Sequence, residues 1–159
     1  VSSIEGNVKN ASSGQEHATT QAIAQCPAMR KQFGELHVVN NGYPVVFYDD
    51  SGAKVLEADG LVVNSVVLLL NEVKHTPTSE DASLQQGRAH TLMGILSNPS
   101  AFSSEPAGCL PELVLKGIKD VRPVMSGYNF ASSVEEACVK VGVLVMKTNG
   151  SDYRSSSAG

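Results

Sequence analysis

Tryptophan is missing from this chain, and aromatic residues together make up only 5% of it. Sequence-tolerant grip on single-stranded nucleic acid needs aromatic platforms, and none stands out in the sequence. Lysine and arginine total 12 against 16 acidic residues, for a formal net charge of −4. That balance argues against binding driven by a broad basic surface; a local basic groove stays compatible with it. Cysteine is confined to Cys26, Cys109 and Cys138. Three widely spaced thiols with no Cys-x-x-Cys pair exclude a zinc knuckle and a disulfide framework, and they read as buried free thiols of a reducing compartment, the nucleus among the options. No apolar run approaches the ~18–20 residues that span a bilayer. Val1 to Lys9 is polar and lacks the hydrophobic stretch of a secretory leader. The chain starts without Met, so it reads as a fragment, with an upstream targeting segment left open.

What is present is enough for one domain. The chain has 159 residues, 42% apolar and 18% charged, within the range of an ordinary folded domain. A Ser-, Asn- and Gly-rich flexible lead-in is expected over 1–14, a single domain over 15–149, and a Ser-rich disordered tail over 150–159. Gln15 to Phe33 reads as a helix interrupted at Pro27. Tyr43–Tyr48, Lys54–Val63 and Val66–Lys74 read as an antiparallel meander, with a turn at Asp49-Asp50-Ser51-Gly52. A helix follows from Ser79 to about Leu96, with acidic residues in its first turn. Asn98 to Pro111 reads as a loop, and Glu112 to Ile118 fits no single element. Val121–Met125 is a strand whose Pro123 points to an edge or end position. Ser132-Ser133 cap a helix over Val134–Lys140, Gly142 closes it, and Val143–Lys147 is the last strand. This α-β-β-β-α-β-α-β order implies an α/β fold with a mixed sheet flanked by helices.

The segment Lys54 to Lys74, KVLEADGLVVNSVVLLLNEVK, carries the chemistry. Apolar runs of this kind read as a hairpin buried on both faces. With Asn64 and Ser65 at the centre of the turn, Val63 faces Val66 and Asp59 faces Leu70. Side chains alternate faces along a strand, so Glu57, Asp59, Glu72 and Lys74 share one side. Glu57 then lies directly opposite Glu72, with Asp59 and Glu72 as diagonal neighbours. Unpaired charge in an apolar sheet is expensive, and converging carboxylates repel unless a cation stands between them. Hard carboxylate oxygens suit Mg²⁺ or Mn²⁺. Plainer readings exist for each residue. Asp59 precedes a glycine and could belong to a turn, Glu57 could be a solvated strand charge, and Glu72 with Lys74 could form a strand-end ion pair worth ~0–1 kcal/mol when exposed.

A carboxylate on one strand followed by Glu-x-Lys at the end of the next resembles the core motif of the PD-(D/E)XK nuclease superfamily, whose fold is restriction-endonuclease-like. LEADGLVV (Leu56–Val63) is similar to the second core strand, with Asp59 in the aspartate position. LLLNEVKHTP (Leu68–Pro77) is similar to the third, with Glu72 and Lys74 as its Glu-x-Lys. The next helix carries Gln85 and Gln86, where several subfamilies place a glutamine. Ala58 stands where the motif's proline often does. The pattern is also similar to nuclease-like domains of Crinkler-type effectors and transposon-linked proteins. The resemblance implies metal-dependent hydrolysis of phosphodiester bonds in DNA. It assigns Asp59, Glu72, Lys74 and Gln86 to catalysis, and Asp59, Glu72 and the helix glutamate Glu16 to a Mg²⁺ or Mn²⁺ ion. Lys74, Gln85 and Arg88 would touch substrate. Glu35, outside the helix, is the weaker candidate for the helix glutamate. The alternative is a nuclease-like domain without turnover that binds DNA or protein as an effector module, and a homodimer or a partner domain in a longer chain is open. His17, His37 and His90 lack metal-ligand spacing and read as structural, His75 as a surface or loop residue, and Tyr43, Tyr48, Phe33 and Phe47 as core.

Overall fold

The computed structural model describes residues 16–39, 43–148 and 153–155; the lead-in expected over 1–14 lies outside them. Helical residues 16–25 (α1) stop at Cys26, and the helix resumes as α2, Pro27–Phe33, with proline in its first turn. Proline is tolerated there because the first N–H groups of a helix have no intrahelical partner. The remaining elements are β1 (His37–Val38), β2 (Val45–Asp49), β3 (Lys54–Ala58), β4 (Gly60–Val63), β5 (Val67–Lys74) and α3 (Ser79–Ser97). A 3-10 turn at Pro99–Ala101 then leads to β6 (Phe102–Glu105), α4 (Cys109–Leu115), β7 (Asp120–Gly127), α5 (Ser132–Val141), β8 (Leu144–Thr148) and β9 (Tyr153–Ser155).

Two sheets form. The larger has strand order β1-β4-β5-β7-β8-β9, and the smaller has β3-β2-β6. In the larger sheet β5, β7 and β8 run parallel, joined through α3 and α5, while β1, β4 and β9 pair antiparallel with their neighbours. This is the expected α/β class, a mixed sheet flanked by helices. One face of the larger sheet (Val62, Val67, Leu69, Val124, Met146) packs on Ile23, Ala24 and Met29 of α1 and α2. The other face (Leu61, Val63, Leu68, Leu70) packs on Ala89, Leu92 and Ile95 of α3, together with Phe47 and Leu56 of the smaller sheet. Burial on both faces explains why β5 is a continuous apolar run rather than an alternating one.

Several boundaries differ from the sequence reading. The strand expected over Lys54–Val63 is two strands in different sheets, and Asp59 is the corner between them. The hairpin turn is centred on Ser65-Val66: the Asn64 N–H donates to the Val67 carbonyl at 3.1 Å, and Asn64 Oδ1 accepts from the N–H groups of Val66 and Val67 at 2.8 Å each. An asparagine side chain that caps its own turn in this way displaces the centre by one residue. The register becomes Val63 to Leu68 and Gly60 to Asn71. Pairing has slipped by two residues, so the side chains of β4 and β5 keep their faces, while Glu57, expected opposite Glu72, pairs with Val46 in the smaller sheet. β7 is central despite Pro123, because an eight-residue ladder to β5 tolerates one missing donor. β6 and α4 occupy the segment read as a loop and as unassigned. The cap of α3 is Thr78, in a reciprocal capping box with Asp81. The cap residue of α5 is Ala131, without a side-chain bond, and Gly142 at φ 82 closes that helix as expected. Residues 153–155 of the expected disordered tail form β9 against β8.

Candidate functional site

A groove of about 610 Å³ runs between β3 and the exposed face of α3, with Lys54, Val55 and Glu57 on one wall, Ser83, Leu84, Gly87, Arg88 and Thr91 on the other, and Asp59 and Glu72 at its base. The corner after β3 puts Asp59 there. The chain turns from one sheet into the other at Asp59, and Gly60 pairs with Asn71, so Asp59 stands beside Glu72. Gly60 lets α1 approach the strand closely: a Cβ at that position would lie 2.0 Å from Thr20 Oγ1.

The carboxyl groups of Asp59 and Glu72 lie side by side, close enough that each shifts the other's titration. The Val73 N–H donates to Asp59 Oδ2 at 3.2 Å. Burial is the main cause that holds the Asp59 carboxyl above its ordinary range; the Val73 N–H and the neighbouring Glu72 carboxyl pull it back, and Glu57 pushes it up. Burial, then the Asp59 charge, pushes Glu72 up to about 8, against the pull of Arg88 and Lys74. With its carboxyl pushed up to about 8, Glu72 favours its protonated form at neutral pH beside the half-buried Asp59. That is the state expected of two carboxyl groups brought close together in a half-buried setting.

Arg88 comes from α3. Its Nη1 lies 3.9 Å from Glu72 Oε2 and donates to Gln85 Oε1 at 3.3 Å. Gln85 is fully buried, and its amide donates to the carbonyls of Leu70 at 2.8 Å and Val124 at 3.3 Å. It thus spans β5 and β7 and holds Arg88 toward the groove. Helical spacing accounts for the triplet, since residues three apart share a face.

Of the expected residues, Asp59, Glu72, Gln85 and Arg88 are brought together. Lys74 lies on the same sheet face as Glu72 by parity and attracts it electrostatically, yet it is exposed and does not line the groove. Gln86, expected to be catalytic, is turned away: its amide lies 3.5 Å from His90 Nε2 on the exposed side of α3. One position along a helix is a rotation of about 100°, and it separates Gln86 from the groove that Gln85 supports. Glu16 sits on α1, which covers the opposite face of the sheet. Among the described residues, no group of three or more His, Cys, Asp or Glu side chains is placed to hold a metal ion; the three-acid ligand set is reduced to the Asp59–Glu72 pair. Glu57 is about half exposed and 3.8 Å from Lys54, close to its solvated reading, and Glu35 lies in the short link between α2 and β1. Tyr43, read as core, is 74% exposed because β2 begins after it. All three cysteines are buried free thiols.

The sequence reading missed an aromatic pair. The His75 and Tyr128 rings are stacked, with centroids 5.3 Å apart and planes 18° from parallel. Fifty-three positions separate them, and only the β5–β7 register, which pairs Lys74 with Gly127, brings them together. Set against family models, curated proteins and solved structures, the chain matches none. Among the described residues no helix is long and apolar enough to cross a membrane.

Proposed function

We propose that this protein is a metal-dependent DNA nuclease domain that hydrolyses phosphodiester bonds, built on the PD-(D/E)XK pattern. The observation that carries the reading is the closeness of Asp59 and Glu72: two half-buried carboxyls, one pushed up to about 8, at the base of an open groove. Two carboxyls that raise each other's pKa are a pair that a divalent cation would relieve. The donor set fits Mg²⁺ or Mn²⁺, which bind through one or two carboxylates and keep waters for a phosphate substrate. Asp59 and Glu72 would hold the ion, which when bound supplies positive charge and a water of lowered pKa. The Val73 N–H fixes the Asp59 carboxylate in orientation. Arg88, one-third exposed at the groove wall, is placed to take a phosphate oxygen with its planar guanidinium. Lys74, two residues beyond Glu72, adds a mobile positive charge on the same sheet face, where charge develops on phosphate oxygens during displacement. Gln85 acts through Arg88 as a positioning residue.

A second reading draws support from the place of Lys74 outside the groove lining: a nuclease-like domain without turnover, serving as a DNA- or protein-binding module. Incubation with supercoiled plasmid separates the two. Nicking in Mg²⁺ or Mn²⁺, absent in EDTA and lost in Asp59→Ala and Lys74→Ala variants that retain their fold, is the expected outcome. Equal nicking by wild type and both variants, or no nicking under any condition, would remove the nuclease reading.

A further inference from the structure

The His75–Tyr128 pair stands at the same end of the sheet as the acidic pair. β5 and β7 run parallel, and their final residues, Lys74 and Gly127, are in register. Past that point the chains are stitched together: the His75 carbonyl accepts from the N–H groups of Tyr128 at 3.2 Å and Asn129 at 2.9 Å. The close approach depends on Gly127, where a Cβ would lie 2.5 Å from Pro77 Cγ and 2.7 Å from the Lys74 carbonyl oxygen. The result is a ring pair held at its backbone but open to solvent, with Tyr128 45% exposed.

A packing role does not account for it. The Tyr128 ring is the larger apolar surface of the two, and it is spread over another exposed ring rather than over the core. In a chain with so few aromatics, the Tyr128 ring backed by His75 just past the ends of two neighbouring strands is a preorganised flat surface. Its neighbours point to the ligand. Lys74, immediately before His75, is an exposed cation, and Glu72 lies two residues further back. Tyr128 lies three residues beyond Met125, the register partner of Glu72, so strand rise puts the two backbones roughly 10 Å apart along the strands, a separation that one extended polynucleotide strand covers within a few nucleotides. We infer that Tyr128, backed by His75, is a stacking platform for an unpaired base, and that the substrate class is single-stranded nucleic acid, with Lys74 against the phosphate between platform and groove. Stacking suits an acidic protein because it does not depend on a basic surface, and it tolerates any base because each has a π-face. The location relative to the chemistry rests on the nuclease reading; the platform itself does not.

Binding of a short labelled single-stranded oligodeoxynucleotide, followed by fluorescence anisotropy in EDTA at low salt, tests this without cleavage. Loss of one stacked base weakens binding by about tenfold or more. Tyr128→Leu is therefore expected to lose about that much, His75→Ala to lose less, and Tyr128→Phe to bind as wild type, all with unchanged melting curves. A duplex of the same sequence should bind more weakly and ignore Tyr128→Leu. Single-strand affinity indifferent to both Tyr128→Leu and His75→Ala, or a duplex bound as tightly as the single strand, overturns the inference even if plasmid nicking is metal-dependent. Affinity that falls with Tyr128→Leu in a protein that nicks nothing sustains the platform while the nuclease reading fails.

Discussion

Asp59 holds a place that few residues could fill. It needs an acceptor for the Val73 N–H and a partner for Glu72, within a corner flanked by buried Ala58 and Gly60. Asparagine satisfies both geometric demands: its carbonyl oxygen accepts from Val73, and its NH₂ donates to Glu72. Without metal, Asp59→Asn should therefore raise stability near pH 8 by on the order of 1 kcal/mol, through relief of like-charge repulsion. Near pH 5 the gain should shrink, because protonation of Glu72 has already relieved the repulsion. Urea unfolding of both proteins at the two pH values measures it; a loss of stability at pH 8 would mean that the Asp59 charge is paired rather than strained. The next residue makes a separate demand. Gly60→Ala drives a methyl into Thr20, whose Oγ1, Cγ2 and Cβ all lie within 2.9 Å of the added carbon. Thr20 is itself bonded to the Glu16 carbonyl and to Asn71, so it cannot step aside without loss. Overpacking of this kind costs about 1–3 kcal/mol, and the same unfolding experiment should find it.

The hairpin shows at the element scale what the sequence could and could not say. The two-sided burial of Gly60–Val63 and of residues 67–73 and the shared face of Glu72 and Lys74 were legible, because side-chain alternation has a period of two and a slip of two residues leaves it intact. That Lys54–Ala58 is a half-exposed strand of the other sheet was not. The turn centre was not legible, because it depends on where the Asn64 side chain points. The break at Asp59 was hidden inside LEADGLVV, where apolar residues continue across two strands in different sheets; only the burial of both ends against separate partners, Leu56 with Phe47 and Val62 with Met29, distinguishes them. Pro123 misled because its local rule favours an edge, while a ladder along the whole of β7 decided otherwise. Gln85 and Gln86 were indistinguishable as neighbours in sequence and diverge only when the helix phase is known. Asn64 also offers an element-scale test. Its Nδ2 donates to the Phe33 carbonyl at 2.7 Å, tying the turn to the end of α2, while Oδ1 caps the turn. Asn64→Asp keeps the cap but sets a carboxylate oxygen against that carbonyl, so it should cost about 1–3 kcal/mol. Asn64→Ala removes the cap as well and should cost more. Equal stability of wild type and Asn64→Asp would show that α2 needs no tie to the hairpin.

For the whole molecule, the acidic pair couples global stability to pH and, on the proposed reading, to metal. Glu72 is pushed up to about 8 in the fold from an ordinary value of 4.5, and Asp59 is raised in the same direction. Between those limits the folded protein binds more protons than the unfolded chain, so stability must fall as pH rises. The contribution is fully present below about pH 4.5 and is lost as pH climbs through about 8. For a group as buried as Glu72 the loss is on the order of a few kcal/mol, enough to move a melting midpoint by several degrees. A divalent ion would reverse the sign. On the metal-dependent reading it would bind the deprotonated pair in the folded state alone, displace the proton on Glu72, and stabilise by mass action. Melting midpoints in EDTA should therefore decline from about pH 5 to about pH 8.5. With millimolar Mn²⁺ the decline should flatten or invert, and the gap between the two curves should widen as pH rises. In Asp59→Asn both the decline and the Mn²⁺ response should diminish together, since each arises from the same two oxygens. A decline in EDTA that Mn²⁺ leaves untouched would keep the coupled acidic pair but strip it of a metal, and with it the physical basis for phosphodiester hydrolysis at this groove.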